Sequence, residues 1–270
     1  MTDSLRYVYL SPHYDDASLS CGGAIHKYVQ SGQTVLVVTV CAAPPQPGDP
    51  LSPFAQELHS FWGSPEDVVA TRRTEDQRAM AALKVDNLQL EFSDCIYRGQ
   101  PNEGVWYYND DTELFGQIHP ADLALADEIA ASIIGQVPVD DNTVICAPLT
   151  VGNHIDHQLV HAAAWQLQDK IRALVFFEDY PYSDPGFAPH GLQHTPDLAK
   201  TLARLKQANL QPQLVSLAEE DVQAKISSIA AYESQIPFLL GGQSEMAEMV
   251  RNYAALVGDG SPAERVWLPK

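Results

Sequence analysis

The sequence predicts an α/β protein of three layers, α/β/α, built on a mainly parallel, Rossmann-like sheet. Short apolar, β-branched runs recur along the chain, segments of helical spacing separate them, and two clusters of histidine and aspartate each come directly after such a run. Strand, helix, strand in sequence implies right-handed crossovers between parallel neighbours.

The elements follow in order. Residues 7–10 and 34–42 are apolar runs, and between them residues 21–31 have helical character and stop at Gly32, a C-cap residue. Residues 44–65 carry prolines 44, 45, 47, 50, 53 and 65 and read as a surface excursion too proline-rich for regular structure. Ala79, Met80 and Leu83 stand at helical spacing in residues 71–83, and residues 87–92 then alternate as a strand. A second excursion, 93–119, brings Trp106, Tyr107 and Tyr108, aromatic rings suited either to stacking on a sugar or to local packing. A helix over 120–135, a strand over 143–147, a helix over 154–167 and a strand over 173–178 continue the alternation, with helices near 197–208 and 218–233 beyond. Without internal repeat or linker, the expectation is one domain, 1–270, with loop excursions near 43–70 and 93–119.

Composition narrows the function. A chain that is 45% apolar and 19% charged suits a globular protein with a well-formed core. No positively charged start precedes an apolar stretch, and no apolar run approaches the roughly 20 residues of a membrane span, so a cytoplasmic, soluble protein is expected. The formal charge of -19 argues against nucleic acid and anionic membrane surfaces as partners; a homo-oligomer is left open. Cys21, Cys41, Cys95 and Cys146 fall singly, with no CxxC pair, and read as reduced, buried thiols.

The first turn after the first strand tests for a dinucleotide site and fails. Only Gly22 and Gly23 occur, a helical turn too late, while His13, Asp15 and Asp16 occupy the loop where a phosphate cradle would be. His13 and Asp16 are three apart, so in a helical turn they share a face and can grip one ion while Asp15 points elsewhere. His154 and His157 have the same spacing, which lets one bind metal while the other faces a substrate. Two histidines and a carboxylate with an open fourth position is the pattern of catalytic zinc, and the open position implies hydrolysis. Asp156 is placed to orient a neighbouring histidine.

Pro12-His13-Tyr14-Asp15-Asp16 together with His154-Ile155-Asp156-His157 resembles the PIG-L/LmbE-like family of zinc-dependent de-N-acetylases. The likeness runs from Tyr7 to about Phe177 and takes in Leu19-Ser20-Cys21-Gly22-Gly23 and the helix with Arg72, Glu75 and Ala79. It implies an LmbE-like fold, a zinc ion (or another divalent metal) held by His13, Asp16 and His157, Asp15 as general base on the zinc-bound water, and His154 as a stabiliser of the oxyanion. It further implies, as substrate, an N-acetylated (or N-acylated) amino sugar such as an N-acetylglucosamine glycoconjugate. Tyr14 stands where the family often has proline and Ala17 where a glutamate often follows; neither removes a ligand, but both change the lining of the first loop.

Arg72, Asp94, Arg98 and Asp179 are the candidate substrate contacts, the last three because they follow strands at the edge where the site should lie. Against that, Arg72 and Glu75 read equally as an exposed helix pair, and the others as loop caps or ion pairs. His161 is expected to pack or hydrogen-bond, and His26, His59, His119, His190 and His194 have no spacing argument. The competing functions are a non-catalytic carbohydrate-binding or regulatory member of the fold, and a metal hydrolase acting on another bond.

Overall fold

The computed structural model describes residues 5–63, 67–187 and 197–270; Pro65, His190 and His194 lie outside the described residues. Nine strands occur there: β1 (Arg6–Ser11), β2 (Thr34–Thr39), β3 (Asp86–Gln89), β4 (Gly99–Gln100), β5 (Val105–Trp106), β6 (Thr143–Pro148), β7 (Ala173–Phe177), β8 (Leu210–Ser216) and β9 (Ala263–Pro269). The α-helices are α1 (Asp16–Gln30), α2 (Pro53–Phe61), α3 (Val68–Leu83), α4 (Asp111–Leu114), α5 (Leu125–Gln136), α6 (Ile155–Trp165), α7 (Leu198–Arg204), α8 (Glu219–Ile229), α9 (Ile236–Leu240) and α10 (Gln243–Val257).

Seven strands form one sheet in the order β3-β2-β1-β6-β7-β9-β8. The first five are parallel, with Val8 opposite Leu36 on one side and Ile145 on the other, whereas β9 runs antiparallel to both β7 and β8. The order reverses between β1 and β6, so the carboxyl ends of these neighbours flank a crevice.

Alternation along each strand divides the core. Val8, Leu10, Val38 and Ile145 point to one face, where they pack with Ile129 and Ile133 of α5 and Leu159 and Val160 of α6. Tyr9, Val37 and Cys146 point to the other, against Ile25 of α1 and Met80 and Leu83 of α3. Helices on both faces explain why β6 is buried at every position and reads as a continuous apolar run. The four cysteines are free and buried, as read. Among the described residues no helix is long and apolar enough to cross a membrane.

Several boundaries differ from the sequence reading, each for a local reason. Helix α1 begins at Asp16, because the Ser11 hydroxyl oxygen accepts from the Ala17 N–H at 3.0 Å and satisfies the first turn. Gly22 and Gly23 lie inside α1 as packing residues: a Cβ on Gly22 would come 3.2 Å from the Lys225 Cα of α8, and one on Gly23 2.6 Å from a Leu217 methyl. The first proline-rich excursion does contain a helix, α2, since Pro53 occupies its first turn and the Ser52 side chain caps Ala55 N–H at 2.9 Å. Strands β8 and β9 are absent from the sequence reading because β8 is a polar edge strand with Pro212 inside it.

Candidate active site

The site lies where β1, β6 and β7 end side by side. From β1 the chain turns through His13 and Asp15 into α1, and from β6 it turns through Thr150, Gly152 and Asn153, all at positive φ, into α6. Gly152 is required on two counts, its φ of 90° and the Tyr182 ring, which a Cβ would meet at 3.1 Å. His154 caps α6, its Nδ1 accepting the Asp156 N–H at 3.2 Å, and the first turn of the helix delivers Asp156 and His157.

Each imidazole of the first and last positions has a carboxylate behind it. His13 Nε2 lies 3.0 Å from Asp156 Oδ2, and His157 Nδ1 lies 2.6 Å from Asp179 Oδ1. The remaining ring nitrogens converge on Asp16, whose Oδ2 is 3.1 Å from His13 Nδ1 and whose Oδ1 is 3.4 Å from His157 Nε2. His13, His154 and His157 also bring ligand nitrogens within 4.8 Å of one another.

Electrostatics favour a cation here. Burial opposes the imidazolium of His13, but the charge of Asp94 and the bonds to Asp156 and Asp16 outweigh it and carry its pKa well above 6.5. Burial is likewise overcome at His157, where Asp16 and Asp179 raise the pKa to about 9. Asp16 is held well below the usual carboxylate range by His157 and His13 despite its burial. A crevice that draws positive charge to two imidazoles and a carboxylate fits a divalent cation held by His13, Asp16 and His157. His154 behaves oppositely: burial and its neighbours His13 and His157 push its pKa well below 6.5. It is therefore neutral, and with Nδ1 accepting from the backbone its proton sits on Nε2, so a donor role needs no imidazolium.

Asp15 differs from its neighbours. It occupies the N-cap of α1 without making a side-chain cap bond, and the nearest charged partner is Arg72 Nη2 at 3.5 Å. Burial raises its pKa, and Arg72 opposes the rise. The Arg72 guanidinium is itself packed over Trp62 at 4.8 Å and Tyr14 at 5.4 Å. Arg72 and Glu75 are thus both buried and not an exposed helix pair.

His13, Asp15, Asp16, His154 and His157 line one cavity of about 110 Å³, with Arg72 and Asp94 in its wall. Two expected substrate contacts do not reach it. Arg98 turns away to bond Asp156 Oδ1 at 2.5 Å and to pair with Asp122 at 3.1 Å, and Asp179 is spent on His157 and on the Val151 N–H at 2.8 Å. Asp156 is completely buried and takes His13, Cys95 N–H and Arg98, the orienting position read from the sequence. Trp106 and Tyr107 line a separate cavity of about 460 Å³, and Tyr108 is buried with its hydroxyl on Asp122, so these three rings do not face the site histidines. The rings that do are Trp62, Phe115, Tyr180, Tyr182, Phe187 and Phe238. Gln235 and Asp111 also line the cavity; only the folded chain brings them there, and no local motif marks them. His161 donates and accepts within the core, as expected, between Pro148 O and Trp165 Nε1.

The profile of the PIG-L family, GlcNAc-PI de-N-acetylase, matches residues 8–168, more than half of the chain and the stretch that carries His13, Asp15, Asp16, His154 and His157. The chain belongs to the PIG-L family. Among curated relatives, 2'-N-acetylparomamine deacetylase of Niallia circulans is 29% identical over 67% of this chain and 68% of its own. The enzyme of the same name from Streptomyces fradiae is 28% identical over 85% of this chain and 73% of its own. The crystal structure of the zinc inhibited form of teicoplanin deacetylase Orf2 superposes with a TM-score of 0.73 at 27% identity, covering 97% of each chain. The PIG-L chain described here shares with that structure its α/β fold, the expected LmbE-like sheet between helices.

Proposed function

We propose that this PIG-L member removes an N-acetyl group from an amino sugar carried on a larger glycoconjugate, using one zinc ion held by His13, Asp16 and His157 and Asp15 as general base. That the chain is a de-N-acetylating amidohydrolase follows from its family and relatives. The observation that carries the assignment of roles is the Asp15 carboxylate in the cavity wall, 3.5 Å from Arg72 and outside the His13–Asp16–His157 cluster beside it. A binding module has no need of an unliganded carboxylate there, whereas a hydrolase does.

Bound zinc would supply Lewis acidity toward water and toward the amide oxygen. Asp15 takes a proton from the attacking water as the new C–O bond forms, and Arg72, 3.5 Å away, favours its ionised state before the step. Neutral His154 donates from Nε2 to the oxygen of the acyl carbon as charge develops on it. As the C–N bond breaks, Asp15 returns its proton to the amine, giving acetate and a free amino sugar. Asp156 and Asp179 hold His13 and His157 by the ring nitrogens that face away from Asp16. Trp62 and Phe115 offer apolar surface for the C–H face of a sugar ring.

The deciding experiment incubates the zinc-loaded protein with a panel of N-acetylated amino sugars, including 2'-N-acetylparomamine and N-acetylglucosamine glycosides, and measures primary amine and acetate. Equal release of the two is expected from at least one member. No release from any would overturn the reading. Elemental analysis accompanies it: zinc near one per chain is expected in the parent and is lost in His157→Ala.

A further inference from the structure

We infer that Gln235 is a specificity residue: its side-chain carbonyl accepts a hydrogen bond from a hydroxyl of the amino sugar, and Glu75 fixes that polarity through Ser234. The inference rests on the proposed function, since it takes the cavity as the sugar site.

Gln235 lies far beyond residue 168, where the family match ends, at the corner that leads into α9. It is only 4% exposed and lines the same cavity as Asp15 and Arg72. A buried amide normally satisfies both ends, so where each end points is informative. Glu75, one helical turn after Arg72 on α3, accepts from Ser234 twice, from N–H to Oε1 at 2.7 Å and from the hydroxyl to Oε2 at 2.7 Å. That commits the single hydroxyl proton of Ser234 to the carboxylate, so the Ser234 oxygen can only accept from its other neighbour. The neighbour is Gln235, whose Nε2 donates to it at 2.9 Å.

The carboxamide cannot flip without setting its carbonyl against the Ser234 lone pair. Gln235 Oε1 is therefore held on the far side, and it has no hydrogen-bond partner among the described residues. A fixed, unpartnered acceptor selects ligands that bring a donor. It suits a sugar hydroxyl and disfavours a carboxylate or a fully ionised phosphate ester, which offer only acceptors. Phe238 and Leu239, one turn further along, add apolar wall beside it, so one short segment supplies both a polar and an apolar contact to a ring.

The test uses methyl N-acetyl-β-D-glucosaminide and its monodeoxy analogues with the zinc-loaded protein, reading amine release for kcat and KM, and ligand-observed NMR for Kd. Gln235→Ala is expected to raise KM and Kd roughly tenfold or more with kcat changed little, and to abolish the penalty for one particular deoxy analogue. Glu75→Gln frees the Ser234 proton to point at Gln235, turning the amide round. It should reproduce the KM of Gln235→Ala, and the double variant should be no worse than either single. If Glu75→Gln does not fold, Ser234→Ala removes the same anchor and is expected to raise KM as well. Unchanged KM and Kd in Gln235→Ala, or additive effects in the cycle, would overturn the inference. Amine release with no dependence on Gln235 sinks this inference and spares the proposed function. Gln235-dependent binding without amine release does the reverse, and a parent protein that neither binds nor hydrolyses the glycoside sinks the inference for this sugar.

Discussion

His157 Nδ1 sits 2.6 Å from Asp179 Oδ1, and the other oxygen of that carboxylate accepts the Val151 N–H at 2.8 Å. Both oxygens of a side chain that is 1% exposed are thereby committed, one to the histidine and one to the loop that follows β6. The bond holds the Nδ1 proton of His157 and so points Nε2 toward Asp16 and the proposed metal position. Asp179 thus acts on the proposed metal site from behind, which is why it makes no contact with the cavity.

Asp179→Asn should weaken zinc binding by roughly 10–100-fold, because the amide can no longer accept from both partners as a charge and so loosens the ring it holds. Competition with a chelator of known affinity measures this. Affinity within about twofold of the parent would remove Asp179 from the support of the site.

Arg98 provides a contrasting case, in which the expected effect is on stability. Its guanidinium neutralises Asp156 and Asp122, both almost wholly buried, so Arg98→Met takes the shared cation from two buried carboxylates. A loss of about 3–5 kcal/mol in urea unfolding is expected, the scale of breaking a buried pair. A stable variant with raised KM would restore Arg98 to the substrate contacts.

Asp15→Asn should keep zinc and lose turnover by roughly 10²–10⁴-fold, the usual contribution of a positioned base. The variant keeps the shape of the side chain and removes only its basicity. Normal hydrolysis would take Asp15 out of the mechanism.

These three positions show what could be read from sequence and what could not. His13, Asp15, Asp16, His154 and His157 were legible because each cluster directly follows a parallel strand, and β1 and β6 prove to be neighbours whose ends share one edge. The same argument placed Asp94, Arg98 and Asp179 at the correct edge but could not say which way a side chain turns. Asp122, from a different loop, captures Arg98, while Asp94 remains in the cavity wall. Gly22 and Gly23 were visible as departures from a phosphate loop, yet their reason, the close approach of Lys225 and Leu217, depends on a helix some 200 residues away. Gln235 and Phe238 were silent because a cavity wall built from distant segments leaves no periodic trace in any of them.

His161 yields a prediction about pH that is independent of metal. Its Nδ1–H donates to Pro148 O at 2.8 Å and its Nε2 accepts from Trp165 Nε1 at 2.9 Å, so the neutral ring is fully satisfied and a second proton has no acceptor. Burial lowers its pKa from 6.5 to about 4, with the Pro148 bond opposing and Arg204 assisting. The folded state therefore binds this proton less readily than the unfolded state. The contribution is complete above pH 6.5 and is lost as pH falls through 6.5 toward 4, amounting to about 2 kcal/mol between pH 7 and pH 5. Other groups titrate in the same range, so the measurement is a difference: urea unfolding of the parent and of His161→Gln at both pH values. The stability gap between the two proteins should shrink by about that amount at pH 5. A gap independent of pH would mean that the His161 ring is not held neutral by its two bonds.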